Sequence, residues 1–286
     1  MPLTPAERRD FFARLLCWGT VHRPCPTLLI VGTEDGGPSW KYERTDQGDR
    51  ERTDEDVDMR CCRNKANANV TLLPPYLIVP SGASDCGCTE RIQIRFAHGL
   101  RRILGDSGFG EPSEYCRRSG SKDCYLSGFE LVGNVRPFAW RTTGAERDAT
   151  TLSYLGFEGE KGRNAYSDFV RQQTKNRAEA LVKLLATMTS QSSTGHVFGL
   201  FLGRIAERAI WPHMSHFALE RDLTGIMAKL IRDPERRCAA QCFRFGHNAH
   251  CFFVPHPCSR RRNKFDANFV DDILSVIQEA QRLKTL

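Results

Sequence analysis

The chain has 286 residues, 40% of them hydrophobic, which is enough for one large core and excludes a disordered chain. Its 41 Lys and Arg against 34 Asp and Glu leave a formal charge of +7, a balance that suits an anionic partner such as nucleic acid. No apolar run approaches the roughly 20 residues that span a bilayer, and Met1 to Leu16 is charged and amphipathic without a signal-peptide apolar region, so a soluble, intracellular protein with no membrane association is expected.

Thr4-Pro5-Ala6-Glu7 reads as an N-cap, a proline at the first helical position and an acidic first turn, and Phe11, Phe12, Leu15 and Leu16 continue it on one face as a first helix. After Pro24 and Pro26, the run Thr27-Leu28-Leu29-Ile30-Val31 is too short for a helix and continuously apolar, which predicts a buried parallel strand. It enters Gly32-Thr33-Glu34-Asp35-Gly36-Gly37-Pro38. Open α/β sheets bind ligands at such glycine-rich turns beyond the carboxyl ends of strands, so Glu34 and Asp35 are candidate functional acids; two solvated acids in a turn are the alternative. The glycines lack the dinucleotide spacing and the Lys-Ser/Thr of a phosphate loop.

From Lys41 to Arg60 the chain is almost wholly charged or polar and predicts a mobile loop. Leu72 to Pro80 is rich in proline and predicts an edge strand or extended segment. Ile92, Phe96, Leu100, Ile103 and Leu104 have helical spacing, closed by Gly105.

The twelve cysteines are expected to stay mostly reduced in an intracellular protein. Cys61, Cys62, Cys86, Cys88, Cys116 and Cys124 fall in one irregular region. A zinc knuckle on Cys61, Cys62, Cys86 and Cys88 stands beside buried or free thiols as an explanation, but the pairs are not C-x2-C, and no metal is assigned.

Phe129 to Phe138 is a second core strand, with Asn134 near its end able to offer an acceptor and two donors to a planar ligand, or to cap the turn. Residues 148–163 read as a loop. Asn164 to Thr189 has an amphipathic pattern, Ala180-Leu181, Leu184-Leu185 and Met188, that predicts a helix covering one sheet face. Val197 to Leu202 is a third buried strand, entering a helix through Gly203, and Leu219 to Ile231 is a further helix. Cys238, Cys242, His247, His250 and Cys251 crowd together, but Cys251 opens an apolar strand and Phe243 and Phe245 read as packing residues, which speaks against a metal cluster. That strand, Cys251-Phe252-Phe253-Val254, ends in Pro255-His256-Pro257-Cys258-Ser259 and meets Arg260, Arg261, Arg262 and Lys264. A terminal helix follows, with Phe269, Ile273, Ile277 and Leu283 on one face.

Four stretches taken in order resemble the uracil-DNA glycosylase superfamily. They are Val31-Gly32-Thr33-Glu34-Asp35-Gly36, Val132-Gly133-Asn134-Val135-Arg136-Pro137, Phe201-Leu202-Gly203-Arg204-Ile205-Ala206 and Val254-Pro255-His256-Pro257-Cys258-Ser259. They are similar, in turn, to that family's water-handling loop, its base-reading Asn strand end, its Leu-Gly-x-x-Ala helix start and its His-Pro-Ser turn. Asp35 stands where the first loop usually has Pro, Cys258 replaces the Ser, and arginines stand where an apolar wedge usually follows.

The resemblance implies a three-layer α/β/α sandwich with a central, mainly parallel four-stranded sheet, and a single domain over 1–286 with a Cys-containing irregular insertion at about 41–128. It implies hydrolysis of the N-glycosidic bond of uracil or a related damaged pyrimidine in DNA, without a cofactor, by a monomer acting on single- or double-stranded DNA in the nucleus or bacterial cytoplasm. Glu34, ahead of Asp35, would handle water near the anomeric carbon, and His256 would face the carbonyl oxygen of the leaving base. Asn134, with Gly32, would bind the pyrimidine edge, and Trp40 or Tyr42 would stack on the extruded base. Ser259, Arg260, Arg261, Arg262 and Lys264 would hold backbone phosphates. A catalytically decayed nucleic-acid- or protein-binding module on the same scaffold remains the second expectation.

Overall fold

The computed structural model describes residues 3–13, 16–19, 27–32, 42–45, 48–51, 77–79, 96, 99–105, 130–136, 152–192, 195–230, 240–254 and 267–283. Helix α1, Pro5–Ala13, starts as its sequence predicts. The Thr4 hydroxyl accepts the Glu7 N–H at 3.3 Å, and the Glu7 carboxylate accepts the Thr4 N–H at 2.8 Å, so two otherwise orphaned amides are satisfied reciprocally. The helix is pinned to the turn at 152–156. Arg8 lies 4.2 Å from the centroid of the Tyr154 ring and donates to the Tyr154 carbonyl, and Arg9 donates to the Leu155 carbonyl. It ends earlier than expected, because Leu16 opens strand β1, Leu16–Gly19, where pairing on both sides outweighs helical spacing.

Among the described residues the main sheet has eight strands and is mixed, a correction to the four expected. Strands β2 (Leu28–Gly32), β6 (Glu130–Asn134), β7 (Val197–Leu202) and β10 (Ala249–Val254) form its centre in the order β6-β2-β7-β10, each parallel to its neighbour. On one side β1 runs antiparallel to β6, with β5 (Leu77–Val79) outside it; on the other β9 (Gln241–Phe245) runs antiparallel to β10, and β8 (Phe217–Leu219) to β9. Strands β1 and β8 are short and β9 is half-exposed, so none of them stands out in the sequence, whereas β5 lies at the sheet edge within Leu72 to Pro80, the segment expected as an edge strand. Leu219 accordingly ends β8 instead of opening a helix.

Both faces of the sheet are covered. Leu28, Ile30, Phe198, Leu200, Phe252 and Val254 pack with Phe96, with Leu100 of a helical segment (α2, 99–104) and with Met227 and Ile273 of two later helices, α5 (Arg221–Leu230) and α6 (Ala267–Arg282). The alternate residues Leu29, Val31, Leu131, Phe201 and Phe253 pack with Leu181, Leu184 and Met188 of α3 (Gly159–Gln191) and with Ala206 and Ile210 of α4 (Gly203–Ile210). Strands buried on both faces are apolar at nearly every position, which is why β2, β7 and the second half of β10, Cys251 to Val254, read as hydrophobic runs. Each fully buried Leu or Phe contributes about 1.5–3 kcal/mol.

Two expected loops carry structure. Within 41–60, Tyr42–Thr45 (β3) and Gly48–Glu51 (β4) pair as a separate antiparallel hairpin closed by a two-residue connection. Its register sets Glu43 opposite Arg50 and Arg44 opposite Asp49, so the charge that suggests a loop is complementary across the ladder. Within 148–163, a helical turn at 152–154 buries Leu152 and Tyr154, and α3 begins at Gly159; glycines 156, 159 and 162 mask this in the sequence. Among the described residues no helix is long and apolar enough to cross a membrane.

Candidate active site

Because β6, β2, β7 and β10 are parallel neighbours, their carboxyl ends lie along one edge of the sheet. Asn134 ends β6 and is paired with Gly32, which ends β2; Val31 is paired with Phe201, and Leu202 at the end of β7 with Val254 at the end of β10. At about 4.8 Å per strand the four ends span about 14 Å. All four sequence stretches that carry the glycosylase resemblance lead off this edge.

Gly32 and Asn134 touch. A Cβ built on Gly32 would come 2.4 Å from the Asn134 Oδ1, so the amide lies over the glycine and occupies the space a side chain would need. Asn134 is buried, and the ladder continues one step past it, the Val135 N–H donating to the Gly32 carbonyl at 3.2 Å. Beside them Gly203 takes a φ of 84°, a left-handed value that favours glycine, and turns the chain directly from β7 into α4. The first turn of α4 has no side-chain cap among the described residues, and its amides begin at this same edge, where they favour negative charge. Under the edge the Phe201 and Phe253 rings stack at 4.5 Å, on neighbouring positions of β7 and β10.

No family model, curated protein or solved structure matches this chain.

Of the residues singled out in the sequence, the structure therefore brings Gly32 and Asn134 together. Tyr42 is the first residue of β3, opposite Glu51. Glu34, Asp35, Trp40, His256, Ser259, Arg260, Arg261, Arg262 and Lys264 lie outside the described residues, as do Cys61, Cys62, Cys86 and Cys88. Glu34 follows the last residue of β2 by two positions, and His256 follows the last residue of β10 by two.

Sequence reasoning missed Arg177. Its side chain, 2% exposed, crosses from α3 to the chain leaving β6, donating to the carbonyls of Asn134 at 3.3 Å and Arg136 at 2.9 Å. The signal was available: Arg177 shares a helical stripe with Leu181, Leu184 and Met188, where an arginine is out of place unless it has buried acceptors.

A second polar cluster lies about 13 Å back along β10, four residues before Val254, on the α5 and α6 face. The Glu220 carboxylate accepts from His250 Nδ1 at 2.9 Å and from the Cys242 thiol at 3.3 Å, while Thr224 hydrogen-bonds the Cys242 backbone. Burial works to raise the Glu220 carboxyl, but the His250 hydrogen bond and charge, helped by Cys242, hold it below the ordinary carboxylate range. Burial pushes the Cys242 thiol well up, with the Glu220 charge adding to it, so this sulfur stays protonated and is a poor nucleophile. His196, ring centroid 6.0 Å from His250, is held below its ordinary value by burial and by the His250 charge. Cys251 belongs to the opposite face from Cys242, so the two cannot share an ion. Among the described residues no group of three His, Cys, Asp or Glu is arranged to hold a metal.

Proposed function

We propose that this chain is a DNA glycosylase that hydrolyses the N-glycosidic bond of uracil, or of a related damaged pyrimidine, in single- or double-stranded DNA. The observation that carries this reading is the arrival of all four family-like stretches at one edge, on four adjacent parallel strands, with Asn134 laid over Gly32. Strands β2 and β10 are separated by β7 alone, about 10 Å in all, and two-residue tethers reach up to about 7 Å each. The strand ends that precede Glu34 and His256 by two residues are thus about 10 Å apart, a spacing that supports both acting on one nucleotide.

Cleaving the bond leaves positive charge on the sugar and negative charge on the departing base. Glu34 stabilises the first and orients the attacking water, with Asp35 beside it in sequence; His256 stabilises the second at the base carbonyl oxygen. Asn134 reads the pyrimidine edge through its amide, whose acceptor and donors discriminate among bases. Stacking on Trp40 or Tyr42 offsets the few kcal/mol that extruding a base costs, and Ser259, Arg260, Arg261, Arg262 and Lys264 grip the phosphates. Water is the co-substrate and the reaction calls for no cofactor.

The test is incubation with uracil-containing single- and double-stranded DNA followed by alkaline cleavage at abasic sites. Strand breaks are expected with the wild type, reduced about 10²–10⁴-fold in Glu34→Ala and in His256→Ala. Activity untouched by both substitutions overturns the residue assignments. Salt-sensitive DNA binding without cleavage of any lesion favours instead a binding module on the same scaffold, the reading that Asp35 and Cys258 would then explain.

A further inference from the structure

We propose that Arg177 is a positioning residue that sets the aim of Asn134; this rests on the glycosylase reading for its effect on catalysis, though not for its effect on structure. The guanidinium donates from one nitrogen to the carbonyls of Asn134 and Arg136, two peptide units that bracket Val135. Holding both carbonyls fixes the rotation of the chain as it leaves β6, and that rotation determines where the Asn134 Cα–Cβ bond points.

The restraint acts from the α3 face, while the Asn134 amide is seated against Gly32 on the adjacent strand. The strand end is held from two directions. Beyond Asn134 the ladder contributes a bond from the Val135 N–H to the Gly32 carbonyl, and Arg177 adds its bonds to the Asn134 and Arg136 carbonyls at the exit. A buried arginine is costly to desolvate, and the one nitrogen that serves both acceptors stands one bond farther from the helix than a lysine ammonium would. Its place on the apolar stripe of α3 is therefore accounted for by the site, since the stripe itself would be better filled by Leu or Met.

The experiment compares Arg177→Lys, Arg177→Met, Asn134→Ala and the Arg177→Lys/Asn134→Ala double variant. Arg177→Met is included because an apolar side chain of similar length keeps the helix packed if the lysine variant does not fold. Two readouts are taken. In hydrogen exchange, loss of protection is expected at the Val135 amide with protection kept in β7; unchanged protection at Val135 overturns the proposal. In single-turnover cleavage of uracil-containing DNA, kcat/KM is expected to fall about 100-fold in Arg177→Lys. Preference for uracil over thymine is expected to fall with it, and the double variant should be no worse than Asn134→Ala alone. Additive losses in the double variant would show that Arg177 does not act through Asn134 and overturn the proposal. A wild type that cleaves no uracil-containing DNA brings down the glycosylase reading, and Val135 exchange then decides by itself whether Arg177 holds the strand end.

Discussion

The two ends of the parallel strands treat polar groups differently. Toward the amino end of β10, His250, Glu220 and Cys242 are satisfied by one another, in a pocket of phenylalanine and histidine rings. At the carboxyl end, Asn134 is seated over a glycine, the start of α4 carries no side-chain cap among the described residues, and an arginine is spent on main-chain carbonyls. The first arrangement is closed and holds β9, β10 and α5 together. The second sets a planar amide and the first amides of α4 at the edge where β2 and β10 end. The two ends thus differ in bonding, side chain to side chain in the first and side chain to main chain in the second.

The sharpest way to break this contrast is Gly32→Ala. Its methyl would arrive 2.4 Å from the Asn134 oxygen, so the amide must move. Cleavage of uracil-containing DNA is expected to fall about 100-fold, while overpacking costs about 1–3 kcal/mol of stability in a denaturant titration. Stability loss without loss of cleavage would separate Asn134 from the site.

Glu220→Gln addresses the other end. Removing the charge that His250 and Cys242 donate to is expected to cost about 2 kcal/mol of unfolding free energy. It should leave kcat/KM within about twofold of wild type, since this cluster sits about 13 Å from the strand ends. A large fall in kcat/KM with stability preserved would make the cluster functional after all.

The smallest effect is on acid stability. His196 and Glu220 both have folded pKa values below their ordinary values of 6.5 and 4.5. In each case the unfolded chain takes up the proton first, so stability is highest above about pH 6.5 and falls as pH drops, first through His196 and then through Glu220. Urea midpoints at pH 7.5, 6 and 4.5 should decline in that order. The step between pH 6 and 4.5 should shrink in Glu220→Gln.

How much of this was legible in the sequence depended on how each segment is buried. Strands β2, β6, β7 and β10 were legible because burial on both faces demands apolar residues, and the Thr4–Glu7 box because capping is local chemistry. Of the outer strands, β5 was legible as an edge strand from its prolines, but β1 has four residues and follows a helix, and β9 exposes Arg244 between Phe243 and Phe245. The β3–β4 hairpin was hidden by its charge, whose complementarity appears only once the register is known. Arg177 stood out on the apolar stripe of α3, but its partners were hidden for a related reason. Its acceptors are carbonyls 41 and 43 residues earlier in the chain, and main-chain acceptors leave no mark on a sequence.

The sheet is closed off at its margins by its shortest members. Strands β5 and β8, the outermost on either side, have three residues each. A three-residue border offers too little unpaired backbone to template another chain, even with Leu219 46% exposed on β8. Among the described residues, the two borders of the sheet are therefore poor templates for edge-to-edge pairing with a second chain.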